Sequence, residues 1–290
     1  MKTSVEAVTG RYLHVGIGGA EHRVYVEEAG AGVPLLCLHT AGADSRQFRG
    51  VLNDEAVTSR FRVIAFDLPW HGKSSPPAGW YETRYQLSAA AYQDTVLAVA
   101  GVLDLDRPVV MGCSIGGRLV LYLAARHPDR VGGVIGLQTG GHVEPYYDTQ
   151  WLNRPDVHGG LVCAGIVSGL IGPSAPGADR WETLWHYMQG GPGVFQGDLY
   201  FYKVDGDARG LLAEIDTARC PVFLLTGEFD YSCTPDDTLA IQRAVPGAHA
   251  QVMPGLGHFP MSEDYQRFRS HLLPVLDQVL AGRDERGVPA

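Results

Sequence analysis

Long hydrophobic runs are missing from this 290-residue chain. No stretch approaches the ~18 consecutive apolar residues that a membrane-spanning helix needs. The opening residues, MKTSVEAVTGRYLHVGIGG, hold no apolar core of the kind a secretory leader requires, so no signal peptide is expected. Cysteine is sparse and odd in number: Cys37, Cys113, Cys163, Cys220 and Cys233 match neither a zinc spacing nor a CxxC redox pair. Free thiols in a reducing compartment are expected, and with them a soluble, cytoplasmic protein. Positive charge is short, since 23 Lys and Arg face 32 Asp and Glu and leave a net charge of -9. No basic run interleaves with aromatics, which argues against nucleic acid or an anionic membrane as partner and leaves a small-molecule substrate. Internal repeats, low-complexity segments, a Gly-rich dinucleotide turn after the first strand and metal-ligand spacings are all lacking. No cofactor and no metal are therefore expected. Nothing in the pattern speaks to oligomeric state.

The chain is long enough for one large core and is 45% hydrophobic, with 37 glycines. Short β-rich runs at 22–29, 34–39, 61–66, 108–112, 131–137, 221–226 and 250–253 alternate with helical periods at 43–56, 85–103, 115–126, 236–244 and 262–280. This rhythm predicts an α/β fold with a mostly parallel central sheet flanked by helices. The first two runs are joined without a helix, so the sheet should open with antiparallel strands. One segment, 139–209, breaks the rhythm with many rings, glycines and prolines, and is too long for an ordinary connection. It reads as a mostly helical cap over the C-terminal edge of the sheet. The core is then split into 1–138 and 210–290 around it.

After the apolar run ending at Gly112 comes Gly112-Cys-Ser-Ile-Gly-Gly117, and then a helical stretch from Arg118. This is G-x-S-x-G in a strand–turn–helix setting, where the turn is tight enough to demand small residues two before and two after the serine. Gly112 and Gly116 meet that demand around Ser114. Cys113 does not, because its flanking positions would be Met111 and Ile115. A serine hydroxyl needs a base, and the base needs an orienting carboxylate. Asp230 follows an apolar strand and a Gly turn, with Glu228 as its rival; His258 follows the last strand and a glycine loop. The order Ser114, Asp230, His258 is the one this elbow uses. Backbone N–H groups of Ala41 and Ile115 are the candidate oxyanion donors, and His39 is read as a support for the Ala41 loop.

These motifs together resemble the α/β-hydrolase superfamily across almost the whole chain outside the cap. Phe66-Asp67-Leu-Pro-Trp-His-Gly-Lys-Ser74 is similar to the family's D-x-P-G-H-G-x-S segment, and Gly257-His-Phe-Pro-Met-Ser-Glu263 looks like its base loop. Two departures stand out: Trp70 replaces a glycine, and Thr40 replaces the glycine usual after His39. Thr40, Trp70, Trp151 and Trp185 are the candidate pocket residues. A serine at the elbow counts against the dehalogenase and epoxide-hydrolase branches, which the resemblance associates with aspartate there. What it implies is hydrolysis of a carboxylic ester or lactone of an apolar or aromatic small molecule. The alternatives are a carbon–carbon bond hydrolase of diketone-type ring-cleavage products, with Arg154 or Arg180 holding the substrate carboxylate, and a ligand-binding protein that has lost turnover.

Overall fold

Buried apolar runs fix where the sheet forms. The computed structural model describes residues 4–143, 149–153 and 158–285, with Trp151, Asp284 and Glu285 described by backbone alone. Its strands are Thr9–Ile17 (β1), Ala20–Ala29 (β2), Val33–Leu38 (β3), Phe61–Phe66 (β4), Val109–Cys113 (β5), Gly133–Leu137 (β6), Val222–Gly227 (β7) and His249–Met253 (β8). They form one sheet in the order β1-β2-β4-β3-β5-β6-β7-β8. From β3 to β7 nearly every strand residue is buried, as strands covered on both faces must be. β2 is antiparallel to β1 and β4, whereas β3 pairs with β4 and β5 in parallel. The sheet therefore does open antiparallel, but β2 and β3 are not neighbours. β1 is an addition to the predicted strands. Its inward residues Leu13, Val15 and Ile17 alternate correctly, but exposed neighbours and Gly10 and Gly16 dilute the pattern.

Successive strand residues feed two cores. Leu36 and Leu38 join the core shared with Ala89–Val102 (α1), Ile115–Arg126 (α2) and the segment after β6. Leu35 and Cys37 join the core under the C-terminal helix. The predicted helix at 43–56 is instead a series of short turns, because Asp44 and Asp54 each cap a new one by accepting the N–H of Arg46 and Ala56. The stretch at 262–280 is likewise interrupted at Asp264, between Pro260–Glu263 and the long helix that follows.

Between β6 and β7 the described residues are largely helical. They comprise a 3-10 turn at Gln150–Asn153, Gly159–Ser168 (α3), Gly177–Met188 (α4), Val194–Tyr200 (α5), a π turn at Phe201–Asp205 and a 3-10 stretch at Arg209–Glu214. Pro235–Ala244 (α6) and Tyr265–Glu285 (α7) complete the core. No helix among the described residues is long and apolar enough to cross a membrane.

One side chain stitches this helical segment to the core. Arg118 of α2 is fully buried, and all of its hydrogen bonds go to backbone carbonyls. Nε donates to Gly140 O at 2.8 Å, and Nη1 donates to Tyr202 O at 2.6 Å and Gly206 O at 3.4 Å. The guanidinium also lies 4.1 Å from the Tyr202 ring centroid. Arg118→Ala leaves these carbonyls unpaired in the interior. It should lower the free energy of unfolding by roughly 3 kcal/mol, read as a fall in the urea midpoint. An unchanged midpoint would show that this link carries no stability.

Candidate active site

The strand order changes direction between β3 and β5, and the chain leaves these two neighbours toward opposite sides. That is where open α/β sheets form a crevice. Leu38 at the end of β3 stands opposite Gly112 of β5, so the loop after β3 lies beside the elbow after β5. Ser114 occupies the turn with φ 58° and ψ −110°. Its N–H bonds to Leu137 O at 2.9 Å, and its own carbonyl receives the first α2 hydrogen bond, from Arg118 N at 2.8 Å. The turn admits no bulk. A Cβ on Gly112 would lie 2.4 Å from the Gly116 carbonyl, and one on Gly116 would lie 2.8 Å from Leu38.

Asp230 and His258 come together. His258 Nδ1 donates to Asp230 Oδ2 at 2.8 Å, which leaves Nε2 as the ring nitrogen not held by the carboxylate. The other oxygen of Asp230 accepts the N–H groups of Ser232 at 2.8 Å and Cys233 at 3.0 Å, so the carboxylate cannot swing away. Glu228, the rival acid, instead accepts Gly255 N–H at 2.9 Å and is exposed. Cys113 lies beneath the base loop and donates to His258 O at 3.3 Å. Burial, reinforced by the nearby Asp230 charge, pushes its thiol well above the ordinary range, so it is held as a thiol rather than a thiolate.

Three supports of the base loop were not anticipated from the sequence. Gln138, buried and left-handed at φ 52°, donates to Gly257 O at 2.6 Å and accepts Gly227 N–H at 2.8 Å, tying the acid strand to the base loop. Glu263, fully buried, accepts the N–H groups of Gly257, of Phe259 at 3.2 Å and of Gly172 at 3.3 Å. Burial raises its pKa against the lowering effect of those donors. Leu170 O accepts His258 N–H at 2.9 Å. The signal was present in part, since Glu263 lies within the base-loop motif.

Neither Ala41 N–H, in the loop after β3, nor Ile115 N–H, after β5, is engaged among the described residues. Ile115 is the first residue of α2, where an N–H has no intrahelical acceptor. Thr40 is different. Its N–H and hydroxyl both donate to Gln47 Oε1, at 3.0 and 3.1 Å, and its oxygen accepts from the Tyr187 hydroxyl. Thr40 therefore braces the loop and has no donor left for substrate. His39 is also a brace. Its Nδ1 donates to Thr40 O at 2.8 Å and its Nε2 accepts Leu68 N–H at 3.1 Å. Burial, with the neighbouring His71, lowers its pKa to about 4.

Ser114 and His258 open onto a common cavity of about 300 Å³. Thr40 and Ala41 line it from the core, and Ile166, Leu170, Tyr187, Phe195, Leu199 and Tyr202 line it from the helical segment. No Lys, Arg, Asp or Glu lines it among the described residues. Two of the candidate pocket tryptophans are corrected by the structure. Trp70 takes a left-handed backbone, φ 78°, and its indole lies against Trp80 and Tyr85, outside the cavity. Trp185 is 56% exposed on the outer face of α4, about 200° around the helix from Tyr187, which faces in. The Trp151 side chain and Arg154 lie outside the described residues. Arg180 donates to Gly172 O and Pro173 O and does not line the cavity.

Comparison with known proteins agrees with this architecture. Residues 33–159 match the model of the alpha/beta hydrolase fold. A 2-hydroxy-6-oxononadienedioate/2-hydroxy-6-oxononatrienedioate hydrolase of Paraburkholderia phymatum is 32% identical, over 95% of this chain and 98% of its own. A pimeloyl-[acyl-carrier protein] methyl ester esterase of Neisseria meningitidis is 27% identical, over 88% of this chain and 81% of its own. The solved structure of a thermophilic esterase from Thermogutta terrifontis superposes with a TM-score of 0.79 at 22% identity, covering 93% of this chain and 99% of that one. With this fold, and with a relative of that similarity over nearly its full length, the chain belongs to the α/β-hydrolase superfamily and is a hydrolase of that type.

Proposed function

We propose that the protein hydrolyses uncharged carboxylic esters or lactones, with an apolar or aromatic group beside the carbonyl, through an acyl-enzyme on Ser114. The carrying observation is the cavity itself: it holds Ser114 and His258, and its walls are otherwise apolar or uncharged. In this reading Ser114 Oγ attacks the carbonyl carbon while His258 Nε2 takes its proton. Asp230 keeps the imidazole in the Nδ1–H tautomer and stabilises the imidazolium. The negative charge that develops on the carbonyl oxygen falls to the N–H groups of Ala41 and Ile115, with the α2 N-terminus behind Ile115. The imidazolium then gives its proton to the departing alkoxide. Water, deprotonated by the same histidine, releases the acid and restores Ser114.

A second reading uses the same triad to cleave a carbon–carbon bond in a ring-fission diketone. The Paraburkholderia phymatum relative, named for a dienedioate, favours it. A carboxylate buried without a cation is costly, however, and none lines the cavity among the described residues. Arg84 and Lys203 stand in a neighbouring cavity of about 610 Å³, with Leu199 lining both. A dianionic substrate would have to reach past that side chain.

Ser114→Ala, which removes the hydroxyl and almost no packing, should lower turnover by ~10³-fold or more while the fold persists. Wild-type rates in the pure variant would reject the elbow assignment. Asp230→Asn should cost on the order of 10²–10⁴ in kcat through the wrong tautomer. A larger loss in Glu228→Gln would transfer the acid role to that residue. Across substrates, kcat/KM for neutral aryl and alkyl esters should exceed that for a carboxylated ring-fission diketone by about 100-fold or more, the scale of a buried charge left unpaired. The reverse order would establish the second reading.

A further inference from the structure

The helical segment carries a buried carboxylate that no step above uses. Asp198 on α5 has no exposed surface and accepts three hydrogen bonds. Gly42 N–H donates at 2.7 Å, His71 Nε2 at 2.8 Å and the Tyr85 hydroxyl at 2.8 Å. Gly42 directly follows Ala41. It is left-handed at φ 71°, and a Cβ there would lie 2.8 Å from Phe195, also on α5. The oxyanion loop is thus seated on α5 by one hydrogen bond and one close approach.

The protonation state of His71 follows from its partners. Nδ1 faces Pro69 O at 3.0 Å and Nε2 faces the carboxylate, so both nitrogens meet acceptors and both carry protons. His39, with its ring centroid 4.8 Å away, uses one nitrogen as an acceptor and is neutral. His71 and Asp198 therefore form an ion pair with no water access, each side chain 1% exposed or less.

We propose that Asp198 is a positioning residue for the oxyanion loop: from the helical segment it fixes Gly42, and with it the Ala41 N–H, relative to Ser114, while His71 supplies the counter-charge. This rests on the ester-hydrolase reading above. The same helix sends Phe195 and Leu199 into the cavity, so the wall that meets the acyl group and the anchor of the oxyanion donor are one rigid piece.

A pH dependence follows. The groups facing His71 are Asp198 on α5, Tyr85 before α1, Asp67 after β4 and His39 after β3, with Asp44 beyond His39. Burial is the largest single influence and disfavours the imidazolium, yet the charge and hydrogen bond of Asp198, with Pro69 O and Asp67, together outweigh it and the His71 pKa is raised above its ordinary value. A raised base keeps its pair below the folded pKa and loses it as pH climbs through that value. Activity should therefore fall on the alkaline side.

The test compares kcat and KM on a neutral p-nitrophenyl ester from pH 6 to 10, with urea midpoints, for the wild type, Ser114→Ala, Asp198→Asn, His71→Gln and Tyr85→Phe. Asparagine can keep its carbonyl toward Gly42 N–H and His71 and turn its NH₂ to the Tyr85 hydroxyl oxygen, but it removes the charge that makes the bond to Gly42 strong and that balances the His71 imidazolium. Folded Asp198→Asn should lose about 10–100-fold in kcat, short of deleting an oxyanion donor, with KM changed less than about threefold. It should also lack the alkaline fall seen in the wild type. Tyr85→Phe keeps the ion pair and should retain that fall, with kcat within about threefold of wild type. Asp198→Asn with a near-normal kcat, or with a loss confined to KM, would overturn the proposal. If that variant does not fold, an undiminished alkaline fall in folded His71→Gln would overturn it, as would a wild-type profile flat to pH 10. Activity surviving in Ser114→Ala would instead reject the ester-hydrolase reading on which the proposal stands.

Discussion

Ser114 sits in a backbone conformation that a residue with a side chain avoids, and the surrounding structure is arranged to hold it there. Such a conformation costs on the order of 1–3 kcal/mol and persists only where the neighbourhood over-determines it. Here β5 delivers the chain between β3 and β6. Leu137 O takes the serine N–H, α2 begins at the next residue, and two glycines let the turn close without a clash. The same turn brings Ser114 to the cavity and starts α2 at the next residue, whose N–H has no intrahelical acceptor. If that turn relaxed, the proposed nucleophile and one proposed oxyanion donor would be lost together.

Around the strained turn lies a layer of buried polar groups that act at one remove. Gln138 joins β7 to the His258 loop, Glu263 gathers the N–H groups on either side of His258 and that of Gly172, and Thr40 with Gln47 braces the loop after β3. Gln138, Glu263 and Thr40 are paired through most of their polar atoms, the condition under which polar groups rigidify an interior rather than weaken it, whereas Gln47 Nε2 is buried without a partner among the described residues. Gly172 and Leu170 belong to the connection between α3 and α4, yet they bond the base loop directly. The helical segment is therefore part of the scaffold that holds the His258 loop, as well as a wall of the cavity.

Much of this was legible in the sequence because tight turns are written in residue type. The turn at Ser114 needs small neighbours, His258 follows a glycine loop, and Asp230 follows an apolar strand; all three are local patterns. The parallel sheet was legible for the same reason, through Val- and Leu-rich runs such as 109–113 and 222–227. What could not be read depends on which way a side chain faces. Trp185 and Tyr187 are two residues apart, both large rings on one helix, and only the turn of α4 sends one outward and the other to the serine. Gln138 and Asp198 are long-range hubs whose partners lie far off in the chain. No local spacing announces them.

Trp70 adds a last consequence. A glycine would adopt its left-handed backbone freely, so the indole is kept at a conformational disadvantage. Its ring lies 5.2 Å from Tyr85, whose hydroxyl touches Asp198, and Trp80 meets its edge at 6.1 Å. The indole thus backs the ring of the tyrosine that reaches the His71–Asp198 pair, and it adds apolar surface where a low local permittivity strengthens the attraction between the two charges.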